Sequence, residues 1–288
     1  MNQLMAMTCC IHNPHQPALY AKRHMMKILA LNGSHRGTRG HTQVLLERLG
    51  KGARAAGGDF EIIVLAELQI DPCRACQICQ TPEHYLRCVI ADDVAKVHEK
   101  MAEAAIVVYA TPVYVFGMSS LLKTFLDRLH SLGDSKDLRL SQSGRIFHHF
   151  TPGICSKPFV TVVCCNNVEG ETPANTLHYF RTFATFMDAP QVGTLVRNGG
   201  ELCGYGPEPQ SGRRLARLDR SYAAFEQAGR EQALAGRVHW LTARRASQEI
   251  VPVPLFALIK RLPLRFIKAL IIKGARQMRS APVRQEQI

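Results

Sequence analysis

The chain has 288 residues, 46% of them apolar, so it can bury a full core as one large domain or two small ones. Its formal net charge of +13 is uneven: from Pro207 onward sixteen Lys/Arg face six Asp/Glu, while the rest is nearly balanced. That asymmetry suggests a tail that meets something anionic, and it argues against an acidic electron carrier.

The first 25 residues carry His, Pro and Lys/Arg and no apolar run of signal-peptide length. They read as a disordered extension or as the product of an early start site, with Met26 directly before the first strand. The expected setting is cytoplasmic and reducing. There the ten cysteines favour metal or redox chemistry over structural disulfides.

"MKILALN" (26–32) is a continuous apolar run, the pattern of a strand buried on both faces. The loop "GSHRGTRGHT" (33–42) follows, then a helical stretch over 42–56. The unit repeats. Strands are predicted at 60–68, 105–110, 157–165 and 191–197, and helices at 92–104, 119–132, 172–187 and 213–235. Five strands alternating with five helices predict an α/β doubly wound parallel sheet over 26–235. Residues 236–288 read as a basic amphipathic helical tail, whose helix Pro263 would kink. It contains no membrane span, because Lys260, Arg261, Arg265 and Lys268 interrupt its apolar run.

In such a sheet, ligands bind beyond the carboxyl ends of the strands. The first loop offers Ser34, Thr38 and Thr42 hydroxyls, the Arg36 guanidinium, glycines, and the N-terminus of a helix, which together make a phosphate cradle. It is neither a Gly-x-Gly-x-x-Gly fingerprint nor a Walker loop. The third loop, "ATPVYVFGMSSLLKTFLDR" (110–128), offers the edge of Pro112 to Gly117 to a planar ring. Together the two loops resemble the flavodoxin-like NAD(P)H-dependent FMN reductases, and specifically their iron–sulfur flavoprotein branch, from about Lys27 to about residue 235.

The resemblance implies a flavodoxin-like five-stranded sheet of order 2-1-3-4-5. It places FMN phosphate on Ser34, Arg36 and Thr42, with His41 where the family often has Asn. The flavin ring would lie along Pro112, Val113, Tyr114, Phe116 and Gly117. The fourth loop, "CCNNVEGET", would contribute Asn166, Gly170 and Glu171. No side chain is assigned as catalytic; Tyr114 is the one polar group named near the ring, in a stacking or packing role. The family also implies a homo-oligomer with the flavin near a subunit boundary. It implies NAD(P)H as donor and a flavin, quinone or iron-type acceptor.

Cys73, Cys76, Cys79 and Cys88 read C-x2-C-x2-C-x8-C. Three thiolates at steps of three and a fourth further on suit a [4Fe-4S] cluster. Packing thiols or a redox dithiol remain open, and so does zinc, although structural zinc sites usually come as two separated pairs. Cys164 and Cys165 read as core. His148 and His149 read as a surface linker, Asp92–Asp93 as a helix start and Asp127–Arg128 as a helix-surface pair. The leading expectation is an FMN-dependent oxidoreductase. The alternatives are a flavodoxin-type carrier and a thiol redox sensor without turnover. Surface contact of the tail with a membrane is a further expectation, against the alternative that it covers protein.

Overall fold

The computed structural model describes residues 25–200, 216–251 and 255–279, with side chains described to Lys273. The expected N-terminal extension lies outside the described residues, except for Met25, and so does the expected start of the fifth helix at 213–215.

In chain order the elements are β1 (Lys27–Asn32), α1 (His41–Ala55), β2 (Asp59–Val64), α2 (Val94–Glu103), β3 (Ile106–Tyr114) and β4 (Gly117–Met118). Then come α3 (Ser120–Asp127), β5 (Gly133–Leu140), β6 (Ile146–Phe150), the short α4 (Pro152–Cys155), β7 (Phe159–Cys164), α5 (Ala174–Met187) and β8 (Gln191–Arg197). Helices α6 (Ala216–Ala235), α7 (Trp240–Ala246), α8 (Phe256–Ile259) and α9 (Arg265–Arg279) complete it.

The main sheet runs β2-β1-β3-β7-β8, and every pairing along this path is parallel. This is the expected 2-1-3-4-5 order with β7 and β8 as fourth and fifth strands. The central strands β1, β3 and β7 read as nearly unbroken apolar runs because both faces are covered, while the edge strands β2 and β8 are partly exposed. Ile28, Ala30, Val108 and Ala110 face a core shared with α1 and α6, while Leu29, Leu31, Val107 and Tyr109 face one shared with α2, α3 and α5. Helices α1 and α6 meet backbone to backbone: a Cβ on Gly52 would lie 1.7 Å from the Glu226 carbonyl oxygen, and one on Gly229 would lie 1.9 Å from that of Leu49.

Four expectations are corrected. Val238, Ala246 and Ile250 are buried in the α1–α6 core, so the packed unit continues past residue 235. The linker carrying His148 and His149 is an antiparallel hairpin of β5 and β6. Asp127 pairs with Lys123, whereas Arg128 is buried and pairs with Asp92. The tail is two helices, α8 and α9, separated at residues 260–264 rather than one kinked helix. A proline at 263 allows helix to begin after it but removes a donor from any helix running through it.

His98 on α2 is buried edge-on to Phe125 with ring centroids 5.7 Å apart, and its Nε2 has no hydrogen-bond partner among the described residues. Burial, and then the nearby Arg128 charge, push its pKa down to about 4, against an opposing pull from Asp92. The folded state therefore holds His98 neutral, while the unfolded chain takes up a proton near 6.5. Its contribution to stability is complete above about pH 6.5 and is lost as the pH falls toward 4, to a total of about 3 kcal/mol. His98→Leu should flatten the stability profile over this window in urea unfolding at stepped pH. An unchanged acid slope contradicts the assignment.

Candidate functional site

The first and third loops are joined at the carboxyl edge of the sheet. The Gly33 N–H donates to the Ala110 carbonyl at 2.8 Å, and the Ser119 hydroxyl donates to the Gly33 carbonyl at 2.5 Å. Ser119 also caps α3 by accepting from the Leu122 N–H, and its own N–H donates to Thr111 Oγ1. A Cβ on Gly33 would sit 2.7 Å from Leu122 Cβ, so glycine is required for this approach. On the solvent side, His35 Nε2 lies 2.9 Å from Ser120 Oγ, and its ring lies 6.3 Å from that of Tyr114. Asn32, the last residue of β1, shapes the loop from inside. Its Oδ1 accepts from the Ser34 N–H, and its Nδ2 donates to Gly37 O and Gln43 Oε1. The sequence reading named neither Asn32 nor His35. The available signal was a polar residue closing an apolar strand.

Ser34 is buried, and its Oγ accepts from the Arg36 N–H at 3.2 Å; the Arg36 side chain is exposed. Gly40 precedes α1 without a side-chain cap, so the first N–H groups of the helix are left to face an anion. The side chains of His41 and Thr42 are buried. The Thr42 hydroxyl lies 3.1 Å from Cys164 Sγ at the end of β7. His41 is 6% exposed, its ring lies 6.2 Å from that of Tyr222, and neither ring nitrogen has a hydrogen-bond partner among the described residues. Burial, and then Arg197, push its pKa down to about 4, so the imidazole is neutral.

In the third loop, Tyr114 and Gly117 pair across a two-residue turn whose central residues, Val115 and Phe116, both have left-handed φ, 45° and 63°. The turn projects Tyr114, Val115 and Phe116 into solvent, with Pro112, Val113 and Gly117 half-buried behind them. In the fourth loop Asn166, Gly170 and Glu171 are exposed. Cys165 is buried, with its thiol donating to the Asn167 carbonyl at 3.1 Å. Lys260 from the tail reaches this loop, donating to the Val168 carbonyl at 2.7 Å and pairing with Glu249 at 2.9 Å.

The four cysteines of the 73–88 loop line one recess, together with Arg74, Gln77, Val89, Ile90, Arg128, His130 and Ser131. Cys79 is buried, Cys73 and Cys88 are half-buried and Cys76 is exposed. Ala75, Gln77 and Leu86 are in the left-handed region and fold the loop back on itself. Among the described residues, no three His, Cys, Asp or Glu side chains converge at metal-ligand spacing. The thiols are gathered but not closed onto a point. Cys155 lies in the other core and not in the recess, and burial pushes its thiol up to about 12.

Asp92 and Asp93 do more than start a helix. Asp93 accepts from the Gln69 N–H, and Asp92 accepts from the N–H groups of Asp71 and Val94. Asp92 also receives two nitrogens of Arg128, which in turn donates to the Asp71 carbonyl at 2.8 Å. Burial alone would raise the Asp92 pKa, but these hydrogen bonds, Arg128 foremost, hold it below the usual carboxylate range. Burial likewise opposes the Arg128 charge, while Asp92 and the Cys88 sulfur favour it more strongly.

The sheet order defines a flavodoxin-like fold, and comparison with known proteins adds to it. Residues 26–145 match the family model described as NADPH-dependent FMN reductase. An iron–sulfur flavoprotein of Methanocaldococcus jannaschii is 32% identical over 121 residues, 42% of this chain and 61% of that protein. One of Archaeoglobus fulgidus is 36% identical over 103 residues, 36% of this chain and 48% of that protein. The chain thus spans between 48% and 61% of the length of these curated relatives. Among solved structures, an FMN-dependent NADH-azoreductase from Bacillus anthracis superposes with a TM-score of 0.52 at 13% identity, covering 73% of this chain and 100% of that one. That likeness is one of fold. Over residues 26–145 the chain is similar to the NADPH-dependent FMN reductase family, and it is similar to these iron–sulfur flavoproteins over part of their length.

A β-branched and an aromatic residue in consecutive left-handed positions carry backbone strain that Asn–Gly would relieve. V115N/F116G should therefore raise the unfolding free energy by about 1–2 kcal/mol in urea titration. Equal or lower stability would show that the turn is not strained.

Proposed function

We propose that this chain is an FMN-dependent oxidoreductase that takes electrons from NAD(P)H and passes them to a flavin, quinone or iron-type acceptor, with a [4Fe-4S] cluster in the cysteine recess. The observation that carries the reading is the joined first and third loops, because they place an anion cradle and a projecting planar edge at one end of the sheet. Bound FMN would supply a hydride acceptor that can return electrons singly or in pairs. The chain's own residues bind and orient. The first N–H groups of α1, Ser34 and the Arg36 guanidinium would hold the phosphate. The turn from Pro112 to Gly117 would support the ring, with Asn166, Gly170 and Glu171 on the opposite loop. Neutral His41 and Thr42, both buried, fix the start of α1 rather than touch phosphate. No side chain at this edge is assigned a proton-transfer role.

For the recess, the support for a cluster is the ligand count: four thiols line a single opening. A metal-free thiol redox role is the second reading, favoured by the thiols' lack of convergence to ligand spacing.

The reading includes a homo-oligomer in which a second copy covers Leu138, Leu140 and Ile146, which the β5–β6 hairpin leaves 60–72% exposed. It also includes contact of the tail with an anionic membrane surface. Residues 255–279 hold seven Lys/Arg and no Asp/Glu, and Phe266 and Leu270 stand exposed on α9. Among the described residues, no helix is long and apolar enough to cross a membrane. Sedimentation with anionic vesicles should retain the full chain and release F266E/L270E. Equal sedimentation of the two, or a change of oligomeric state in F266E/L270E by light scattering without any vesicle binding, assigns the tail to protein contacts instead.

A charge-assisted contact to phosphate is worth roughly 1.5–3 kcal/mol, so Arg36→Ala should weaken FMN binding at least about ten-fold. Wild-type protein should be yellow and should bleach rapidly on anaerobic addition of NADH or NADPH. A colourless protein that cannot be reconstituted with FMN overturns the reading. A yellow protein that bleaches only with a partner reductase makes it a carrier.

A further inference from the structure

Val115 is 93% exposed, more than any other large apolar side chain among the described residues. It stands at the tip of the β3–β4 turn with a φ of 45°, in the left-handed region that β-branched residues avoid. Ring support draws on the flanks of this turn and leaves its tip unexplained. Asn or Gly would hold the same backbone at less cost and without apolar surface. A second exposed apolar surface belongs to α9, where Phe266 is 77% and Leu270 53% exposed, one turn apart. The tail that carries it is fixed to the fourth loop. Lys260 donates to the Val168 carbonyl at 2.7 Å and pairs with Glu249, and Lys268 of α9 donates to the Lys260 carbonyl at 2.7 Å. The third and fourth loops follow β3 and β7, which are neighbours in the sheet, so turn and tail attach to the same carboxyl edge. Positive charge is in excess there. Beyond Lys260 the tail holds six Lys/Arg to residue 279 and no Asp/Glu, and the first loop adds exposed Arg36 and Arg39, against Glu169 and Glu171 in the fourth.

We propose that the protein lies on an anionic bilayer with the carboxyl edge of its sheet toward the lipid, held at two points: the apolar face of α9 and the tip of the β3–β4 turn at Val115. This rests on the membrane contact of the tail proposed above, and adds to it a second anchor and an orientation. An amphipathic helix in the interface fixes depth but leaves the domain free to roll about the helix axis. A second apolar contact, made by a separate element, removes that freedom. Val115 adds aliphatic surface at this point, while the Lys/Arg side chains meet anionic headgroups. The occupant is lipid rather than a second copy. The chain carries +13, so two copies meeting through their most basic segments would bring like charges together, whereas an anionic surface neutralises them. The orientation sets the candidate site against the membrane surface rather than toward bulk water.

The test uses the full-length protein with vesicles of phosphatidylcholine alone or mixed with phosphatidylglycerol. Trp240 is the one tryptophan of the chain, so W240F/V115W carries a single fluorophore at the turn. Its emission should be quenched by lipids brominated on the acyl chain in mixed vesicles, and not in phosphatidylcholine alone. V115N removes the apolar side chain without changing charge, and Asn accepts the left-handed position more readily than Val, so its urea midpoint should be no lower than that of wild type. In sedimentation it should bind mixed vesicles about ten-fold more weakly, the loss expected when one aliphatic side chain no longer leaves water. If W240F/V115W sediments with mixed vesicles but is not quenched, and V115N binds as wild type does, the second anchor is overturned while the tail contact stands. A wild type that stays in solution with both kinds of vesicle overturns both. A change of oligomeric state in V115N by light scattering, with unaltered vesicle binding, assigns the turn to a protein contact and overturns the proposal.

Discussion

The backbone of Gly33 touches that of Ala110 and the hydroxyl of Ser119, and the rest of the site is arranged around this contact. It closes the first loop against the third, fixes where α3 begins and leaves no room for a side chain. Because α3 starts there, its eight residues carry the chain about 12 Å along the helix axis to Arg128. One short helix thus has its cap at the candidate phosphate loop and its last turn at the cysteine recess. The two halves of the proposed chemistry are spaced by a rigid element rather than by a loop.

The Asp92–Arg128 pair is the second fixed point. A buried ion pair is weak evidence for stability, since desolvating two charges offsets much of their attraction. Its cost is more readily understood if the pair serves position. It ties the base of the cysteine loop at Asp71 to α2 and α3. Neutral His98 beside it adds apolar bulk without adding charge. The strained turn at Val115 and Phe116 follows a similar logic at the other edge: an unfavourable local conformation projects a flat face where a ring would lie.

The sheet was legible because its central strands are buried on both faces and read as apolar runs, and the two loops were legible because glycine, hydroxyls and proline sit at strand ends. The hairpin over 133–150 was not, since "GDSKDLRL" is polar and mostly exposed and carries no clear alternation. The burial of His41 and Thr42 was not visible either, because a residue in the first turn of a helix can face the loop or the core with equal local propensity. Arg128 looked like a surface partner of its neighbour Asp127. Its true partner is 36 positions away, a tertiary pairing that leaves no periodic signal. The end of the fold was placed early because α7 follows α6 after a glycine turn, although its Ala246 is fully buried.

The central claim is that flavin and cluster share this one domain, and a single preparation tests it most directly. Protein purified without oxygen should be brown. Its absorption should show flavin bands above a broad band near about 400 nm, and it should contain one FMN with about four irons and four sulfides per chain. A plain yellow protein with stoichiometric FMN and no iron would contradict the account of the cysteine recess, and would leave the four thiols as packing or redox groups beside a flavin reductase.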